Sequence, residues 1–280
     1  MYKTKPGLRR FHGGNFWLYA VATLIGFAVV IPFFWMISTS LKENGALMTV
    51  PIEWIPSEPT LDNYRELFRM DNFYGAILNS FYLSVVSTAI QLLCASMAAY
   101  ALTLISFKGR QVLFRLFLVT LMIPSQVTFI PLFIIMSRLG LNDSLNGLVL
   151  LQLFNAFALF MMRQSMLSVN TSLIEAAVID GAKPFTVYLR VVMPVIKGTV
   201  STLAVISFMG IWNDFLIPLV MLSSPDKYTL PLVLNMLNGQ HATEYNLLMA
   251  GCIISIVPIL IVYFAAQKNF QSGMQVGLGK

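Results

Sequence analysis

Six stretches of this chain run without a charged residue: 13–41, 72–107, 116–137, 144–162, 198–213 and 245–267. A helix needs about 20 apolar residues to cross ~30 Å of hydrocarbon, so each run is read as a membrane span. The fifth continues past Asp214 to 225, and the second exceeds the length of one span. Its first residues, with Asn79 and Ser80, are read as an outer approach to a helix over roughly 80–105. Composition agrees, since only 11% of residues are charged against about 25% in soluble domains. The chain is therefore expected to be an all-α membrane protein with six transmembrane helices.

Charge asymmetry orients it. With a cytoplasmic N-terminus, segments 1–15, 106–115, 163–197 and 268–280 lie inside and hold 13 of the 18 Lys and Arg. The outer loops keep only Lys42, Arg65, Arg69, Arg138 and Lys227. The excess of cations on one side places both termini in the cytoplasm. Anionic lipid headgroups account for the +6 balance, and no nucleic acid is required. The run after Lys3, Lys5, Arg9 and Arg10 is too long for a cleavable signal core. Cys94 and Cys252 both fall within spans and read as buried small hydrophobes. His12 and His241 fall on opposite sides of the membrane, and no phosphate loop, HExxH pair or GxSxG elbow occurs. Neither a catalytic residue nor a metal site is expected.

Several spans carry aligned polar residues. Ser80, Ser84, Ser87 and Gln91 share one helical face, continued by Cys94 and Ala98. Such a face packs on another helix or borders a cavity. Pro124 and Pro131 predict two kinks in the third span. Gln152 and Asn155, three apart in the fourth, are expected on one inward face. Asp214 is the one acid within an apolar run, about 17 residues beyond Lys197. With Asn213 it either borders a translocation path or meets solvent or a helix end. In the long outer loop, Thr60 is a plausible N-cap for a helix over Leu61–Phe68.

Between the fourth and fifth spans lies a polar-flanked segment that itself reads as structured. Ser172 and Glu175 have capping-box spacing, Gly181 is a natural helix stop, and Pro184 suits the first turn of a second helix. That helix is expected to carry Phe185, Leu189 and Val192 on an apolar face and to turn Arg190 away, with Pro194 breaking it into the fifth span.

Glu175-Ala176-Ala177, then Gly181 six residues after the glutamate, then Pro194 thirteen after the glycine, resemble the EAA loop of ABC-importer permeases. Val191-Val192-Met193 departs from the Ile or Leu pair usual before that proline but keeps its apolar character. Trp54-Ile55-Pro56, Pro59-Thr60-Leu61, Asn63-Tyr64, Ile123-Pro124, Pro131-Leu132-Phe133, Trp212-Asn213-Asp214-Phe215, Pro218-Leu219 and Tyr228-Thr229-Leu230-Pro231-Leu232 are similar to the smaller permease subunit of maltose-transporter-type sugar importers. The resemblance implies a cytoplasmic segment 1–15, a first helix and outer loop 16–71, a permease core 72–270 and a cytoplasmic tail 271–280. Within the core, the loop 168–195 forms coupling helices. It implies a second permease, a cytoplasmic ATPase dimer that binds the ATP and Mg, an extracytoplasmic solute-binding protein and a sugar substrate. The permease itself then needs no cofactor. Glu175, Ala176, Ala177, Asp180, Gly181 and Pro194 become the coupling residues, and Gln91, Gln152, Asn155, Asn213 and Asp214 the path candidates. A rival of another class is a cation-coupled secondary transporter driven by Asp214, and a third reading is a membrane scaffold without a pathway.

Overall fold

The computed structural model describes residues 16–43, 53–238 and 244–277; His12 and His241 fall outside them. In chain order the α-helices are α1 (Phe16–Ser40), α2 (Asp62–Arg69), α3 (Phe73–Leu104), α4 (Arg110–Thr120), α5 (Ser125–Arg138), α6 (Leu145–Leu151) and α7 (Ala156–Leu167). They continue as α8 (Thr171–Ile179), α9 (Pro184–Val187), α10 (Met193–Val195), α11 (Lys197–Trp212), α12 (Leu216–Met221), α13 (Leu230–Met236) and α14 (Tyr245–Gly277). A π-helical turn, Tyr188–Val192, joins α9 to α10.

Among the described residues, three helices are long and apolar enough to cross a membrane alone, within α1, α3 and α14. Three further pairs, α4 with α5, α6 with α7, and Pro184–Val195 with α11, bend by 101°, 47° and 79°; six spans result where each pair is one span. Each break has a local cause. The third run was expected to kink twice, yet it turns once, over Leu121–Pro124, while Pro131 sits inside an unbroken α5. A residue before proline avoids the helical region, so α4 stops short of Pro124, whose own backbone is extended.

The fourth run is broken where one inward face was expected. Gln152 caps the C-terminus of α6, and Asn155 caps the N-terminus of α7, its Oδ1 accepting from the Ala158 amide at 2.9 Å. An asparagine oxygen that can take an orphan amide competes with helix continuation. The second run, by contrast, is helical from Phe73 onward, so Asn79 and Ser80 lie within α3 rather than on an approach to it. In the outer loop the helix starts one residue later than expected, at Asp62, whose amide donates to Thr60 Oγ1 at 3.1 Å.

α3 is the axis of the bundle, packed on α7 and α11, while α14 packs on α11, α1 and α2. One apolar cluster gathers Ala95, Ala99, Leu102, Phe114, Met162, Val187, Val192 and Leu203 at the end of the bundle that carries α8. Two others, around Leu67, Phe73, Trp212 and Leu230 and around Leu83, Met136, Leu148 and Met221, fill the opposite end. The serine face of α3 is packed, with Ser80, Ser84, Ser87 and Gln91 all buried. Its continuation drifts to Ala95, Ser96 and Ala99 and leaves Cys94 exposed. Cys94 is thus not the buried hydrophobe expected, and Cys252 is only partly covered.

At the opposite end α1 is tied down by amides. Asn63 Nδ2 donates to the carbonyls of Ser40 at 2.9 Å and Lys42 at 2.8 Å, and Asn246 Nδ2 to those of Lys42 at 3.0 Å and Glu43 at 2.6 Å. These bonds satisfy carbonyls that a helix C-terminus leaves orphaned. Nearby, Gly147 admits no side chain, because a Cβ there would lie 2.3 Å from the Leu141 carbonyl oxygen.

Candidate functional site

The loop 168–195 begins where α7 ends. α8 is capped by Asn170, whose Oδ1 accepts from the Ser172 amide at 3.0 Å and the Ser172 hydroxyl at 2.9 Å. The capping box expected on Ser172 and Glu175 is therefore not formed. Asparagine two residues upstream takes the orphan amide, and Glu175 is left in solvent with no ion-pair partner among the described residues.

α8 closes as predicted for Gly181, in a Schellman motif: the Ala182 amide donates to the Ala177 carbonyl at 2.9 Å and Gly181 to Val178 at 3.0 Å. Gly181 has φ +79°, and the space where a Cβ would point is open. Backbone conformation, not crowding within this chain, is what asks for glycine there. Lys183 is extended before Pro184, which opens α9.

Beyond Val187 the helix widens into the π-turn and reaches Pro194. A proline cannot donate to the carbonyl four residues back, here Arg190, and its ring crowds that group. A π-bulge is one way to relieve such a conflict. The sharp turn into α11 comes two residues later, at Ile196, so Pro194 loosens the helix rather than ending it.

The buried side of this second helix is Val187, Tyr188 and Val192. Val192 lies inward and Arg190 points outward as expected, while Phe185 and Leu189 are exposed. Leu173, Val178 and Ile179 are exposed too, the last 85%, as are Glu175, Ala176, Asp180, Gly181, Lys183 and Arg190, while Ile174, Ala177 and Ala182 pack inward.

The path candidates lie on α3 and at the α6–α7 and α11–α12 breaks. Gln91 is buried on α3, its Oε1 without a hydrogen-bond partner among the described residues. Gln152 and Asn155 stand at the α6–α7 break, half-buried. Asn213 is exposed and donates to the Met209 carbonyl at 2.8 Å. Asp214 Oδ1 lies 3.4 Å from the Ile217 amide at the start of α12. The helix-end reading of Asp214 thus has a bond behind it. α11 rises only about 24 Å, short of the hydrocarbon thickness.

One polar centre escaped the sequence reading. Asp143, with φ +51°, gathers the loop after α12. Its Oδ1 accepts from the amides of Ser223 and Ser224, both at 3.0 Å, and its Oδ2 from the Ser224 hydroxyl and Lys227 Nζ. The Asn142-Asp143-Ser144 turn composition was the available sign. The Ser224 hydroxyl above all, then Lys227 and the two amides, hold this carboxyl well below the ordinary 3.8. In turn its bond to Asp143 raises Lys227 above 10.5.

The sign follows from linkage. A depressed carboxyl stabilises the fold above its unfolded value and stops doing so as pH falls through the folded one; a raised amine stabilises it until pH climbs past the folded value. Asp143→Asn is therefore expected to lower the melting temperature in detergent at pH 7. The gap to wild type should close as pH drops below about 4. A gap independent of pH would contradict the assignment.

Comparison with known proteins agrees with this architecture. Residues 91–276 match the family described as binding-protein-dependent transport system inner membrane component. The chain is 34% identical to the arabinooligosaccharides transport system permease protein AraQ of Halalkalibacterium halodurans, over 93% of this chain and 95% of that protein. It is 34% identical to the multiple sugar-binding transport system permease protein MsmG of Streptococcus mutans, over 95% and 97%. A solved bacterial ABC transporter involved in the import of the acidic polysaccharide alginate shares the fold, with TM-score 0.81 and 24% identity, over 95% of this chain and all of that one. With the family match spanning well over half its length and these relatives end to end, the chain belongs to the inner membrane permeases of binding-protein-dependent transport systems.

Proposed function

We infer that this chain is the smaller of two permease subunits in an ATP-driven importer of oligosaccharides. The observation that carries the reading is the α8–α10 segment: a capped, Schellman-closed helix pair bearing Glu175-Ala176-Ala177, Gly181 and Pro194, with Ile179, Phe185 and Leu189 left exposed among the described residues. The sugar class is drawn from the transport systems named for its relatives. In this reading the segment and both termini face the cytoplasm, in keeping with the distribution of Lys and Arg. The segment seats in a cleft of an ATPase dimer that binds the ATP and Mg. The opposite end receives an extracytoplasmic solute-binding protein.

The mechanism is a population shift between inward- and outward-open states. ATP binding closes the motor subunits, the coupling segment moves with them, and the spans rock about a midplane path between the two permeases. Glu175 meets a cationic group at the rim of the motor cleft. Ala176 and Gly181 stay small so that α8 can sink in.

Complexes copurified through this chain and reconstituted with their solute-binding protein should take up oligosaccharides, arabino-oligosaccharides being the first to try, only when ATP is supplied on the motor side. Uptake driven by an ion gradient without ATP would favour the Asp214-driven rival instead. On the same particles, single cysteines at Gln152, Asn155, Asn213 and Asp214 should react with a water-soluble maleimide in at least one nucleotide state. One at Gln91, being buried, should react only after rearrangement. Protection of all five in every state would make them packing residues.

A further inference from the structure

The coupling segment has two physical routes into the bundle. The covalent one leads through the π-turn, Pro194 and the 79° turn at Ile196 to α11. A π-turn and a proline both interrupt the i to i−4 ladder, so this connection is a poor lever.

The second route is a bolted joint to α3. The Tyr188 hydroxyl lies 2.7 Å from Ser96 Oγ, both residues buried, and the Tyr100 hydroxyl donates to the Pro184 carbonyl at 2.8 Å. The two tyrosine rings meet edge to face at 5.3 Å, and Val187 and Val192 pack with Ala95, Ala99 and Leu102.

α3 suits transmission. It is one unbroken helix of 32 residues, about 48 Å long. Of the three long helices it alone lacks an internal proline; α1 holds Pro32 and α14 holds Pro258. Its far end grips the opposite face. Asn79 Nδ2 donates to the carbonyls of Asp226 at 2.9 Å and Tyr228 at 3.0 Å. Ser80 Oγ accepts from the Leu230 amide at 2.7 Å, and the Tyr82 hydroxyl donates to Asn146 at 2.6 Å. The loop so held is the one that Asp143 gathers.

We propose that Tyr188 and Tyr100 are positioning residues that make α3, rather than α11, the member carrying motion of the coupling segment to the loop 223–230. The inference rests on the coupling role proposed above.

The test uses the whole complex in liposomes, with Cys94 and Cys252 replaced by serine and one cysteine introduced as Asp226→Cys. Asp226 is exposed and lends only its backbone carbonyl to Asn79. The labelling rate with a membrane-impermeant maleimide is compared without nucleotide and after arrest with ATP and vanadate. The parent should show a change of about fivefold or more, the lower end of ordinary coupling free energies. Tyr188→Phe combined with Tyr100→Phe keeps both rings, removes both hydroxyls, and should reduce that change to less than about twofold. Ser96→Ala should weaken the response alone and add nothing to Tyr188→Phe, while Ser96→Thr should retain it.

A role in stability alone would lower the melting temperature and leave the nucleotide response in place, and that result would overturn the proposal. So would a parent whose loop ignores nucleotide while its ATPase subunits remain bound, although docking of the segment would then stand. Failure of any ATPase subunit to copurify would instead remove the coupling role, and the inference with it.

Discussion

Gly181→Arg should leave the protein in the membrane and its spans intact, yet abolish nucleotide-driven uptake. Gly181 lies at φ +79° on the exposed rim of α8, with open space where a side chain would begin. Within the chain an arginine therefore meets no clash, and its backbone strain is about 1–2 kcal/mol. The remaining effect comes from outside the chain, where a long cation replaces a hydrogen on the surface proposed to sink into a motor cleft. Losing a well-packed interface contact costs about 2–4 kcal/mol, a loss of roughly 30- to 1,000-fold in affinity. Gly181→Ala carries the strain without the bulk and should lose much less. Glu175→Lys reverses the one carboxylate at the start of the motif and should weaken docking by about 2–5 kcal/mol if its partner is a desolvated cation. ATPase activity and uptake, measured on the same reconstituted particles, separate the cases. Hydrolysis without uptake is expected for both charged variants, and normal uptake by both would refute the coupling role.

The second large effect lies at the other end of the bundle. Trp212→Ala should destabilise the protein by about 3–5 kcal/mol. Trp212 is almost fully buried, stacked on Phe208 with centroids 5.8 Å apart, and packed among Leu67, Phe73, Leu230 and Leu247. Its Nε1 donates to the Ser255 carbonyl at 3.1 Å, which ties α11 to α14. Trp212→Phe keeps most of the ring volume and forfeits that bond, so its cost should be nearer 1 kcal/mol. Thermal melts in detergent should rank wild type, Trp212→Phe and Trp212→Ala in that order. Equal melting temperatures would mean that the cluster contributes nothing to holding the bundle together.

Trp212-Asn213-Asp214-Phe215 shows how far a sequence reading reaches. The run of polar residues inside an apolar stretch announced something other than a plain span, and a helix break is what stands there: Asn213 folds back on Met209 and Asp214 meets the start of α12. The same physics hid the α6–α7 break. Gln152 and Asn155 at three-residue spacing look like one helical face until an asparagine oxygen finds an orphan amide, and periodicity cannot choose between those outcomes. The spans themselves were legible because hydrocarbon imposes length and lack of charge on any helix that crosses it. The segment α8–α10 was legible at Gly181 and Pro184, whose backbone constraints are local. It was misread at Ser172 and Glu175, where Asn170 takes the orphan amide instead. The joints at Tyr188, Tyr100 and Asp143 were beyond reach, since each partner lies roughly 80 residues or more away and no spacing rule connects them.

The claim beneath all of this is that α8 and α9 meet an ATP-hydrolysing subunit on the cytoplasmic side. A photo-crosslinking residue placed at Ile179, the most exposed apolar position of the segment, tests it in intact membranes. The account predicts an adduct with the ATPase subunit from Ile179 and from Phe185, and none from Leu139 at the opposite end. An Ile179 position that reacts with reagents confined outside the cell, or that yields no adduct with any nucleotide-hydrolysing subunit in the assembled complex, would contradict it.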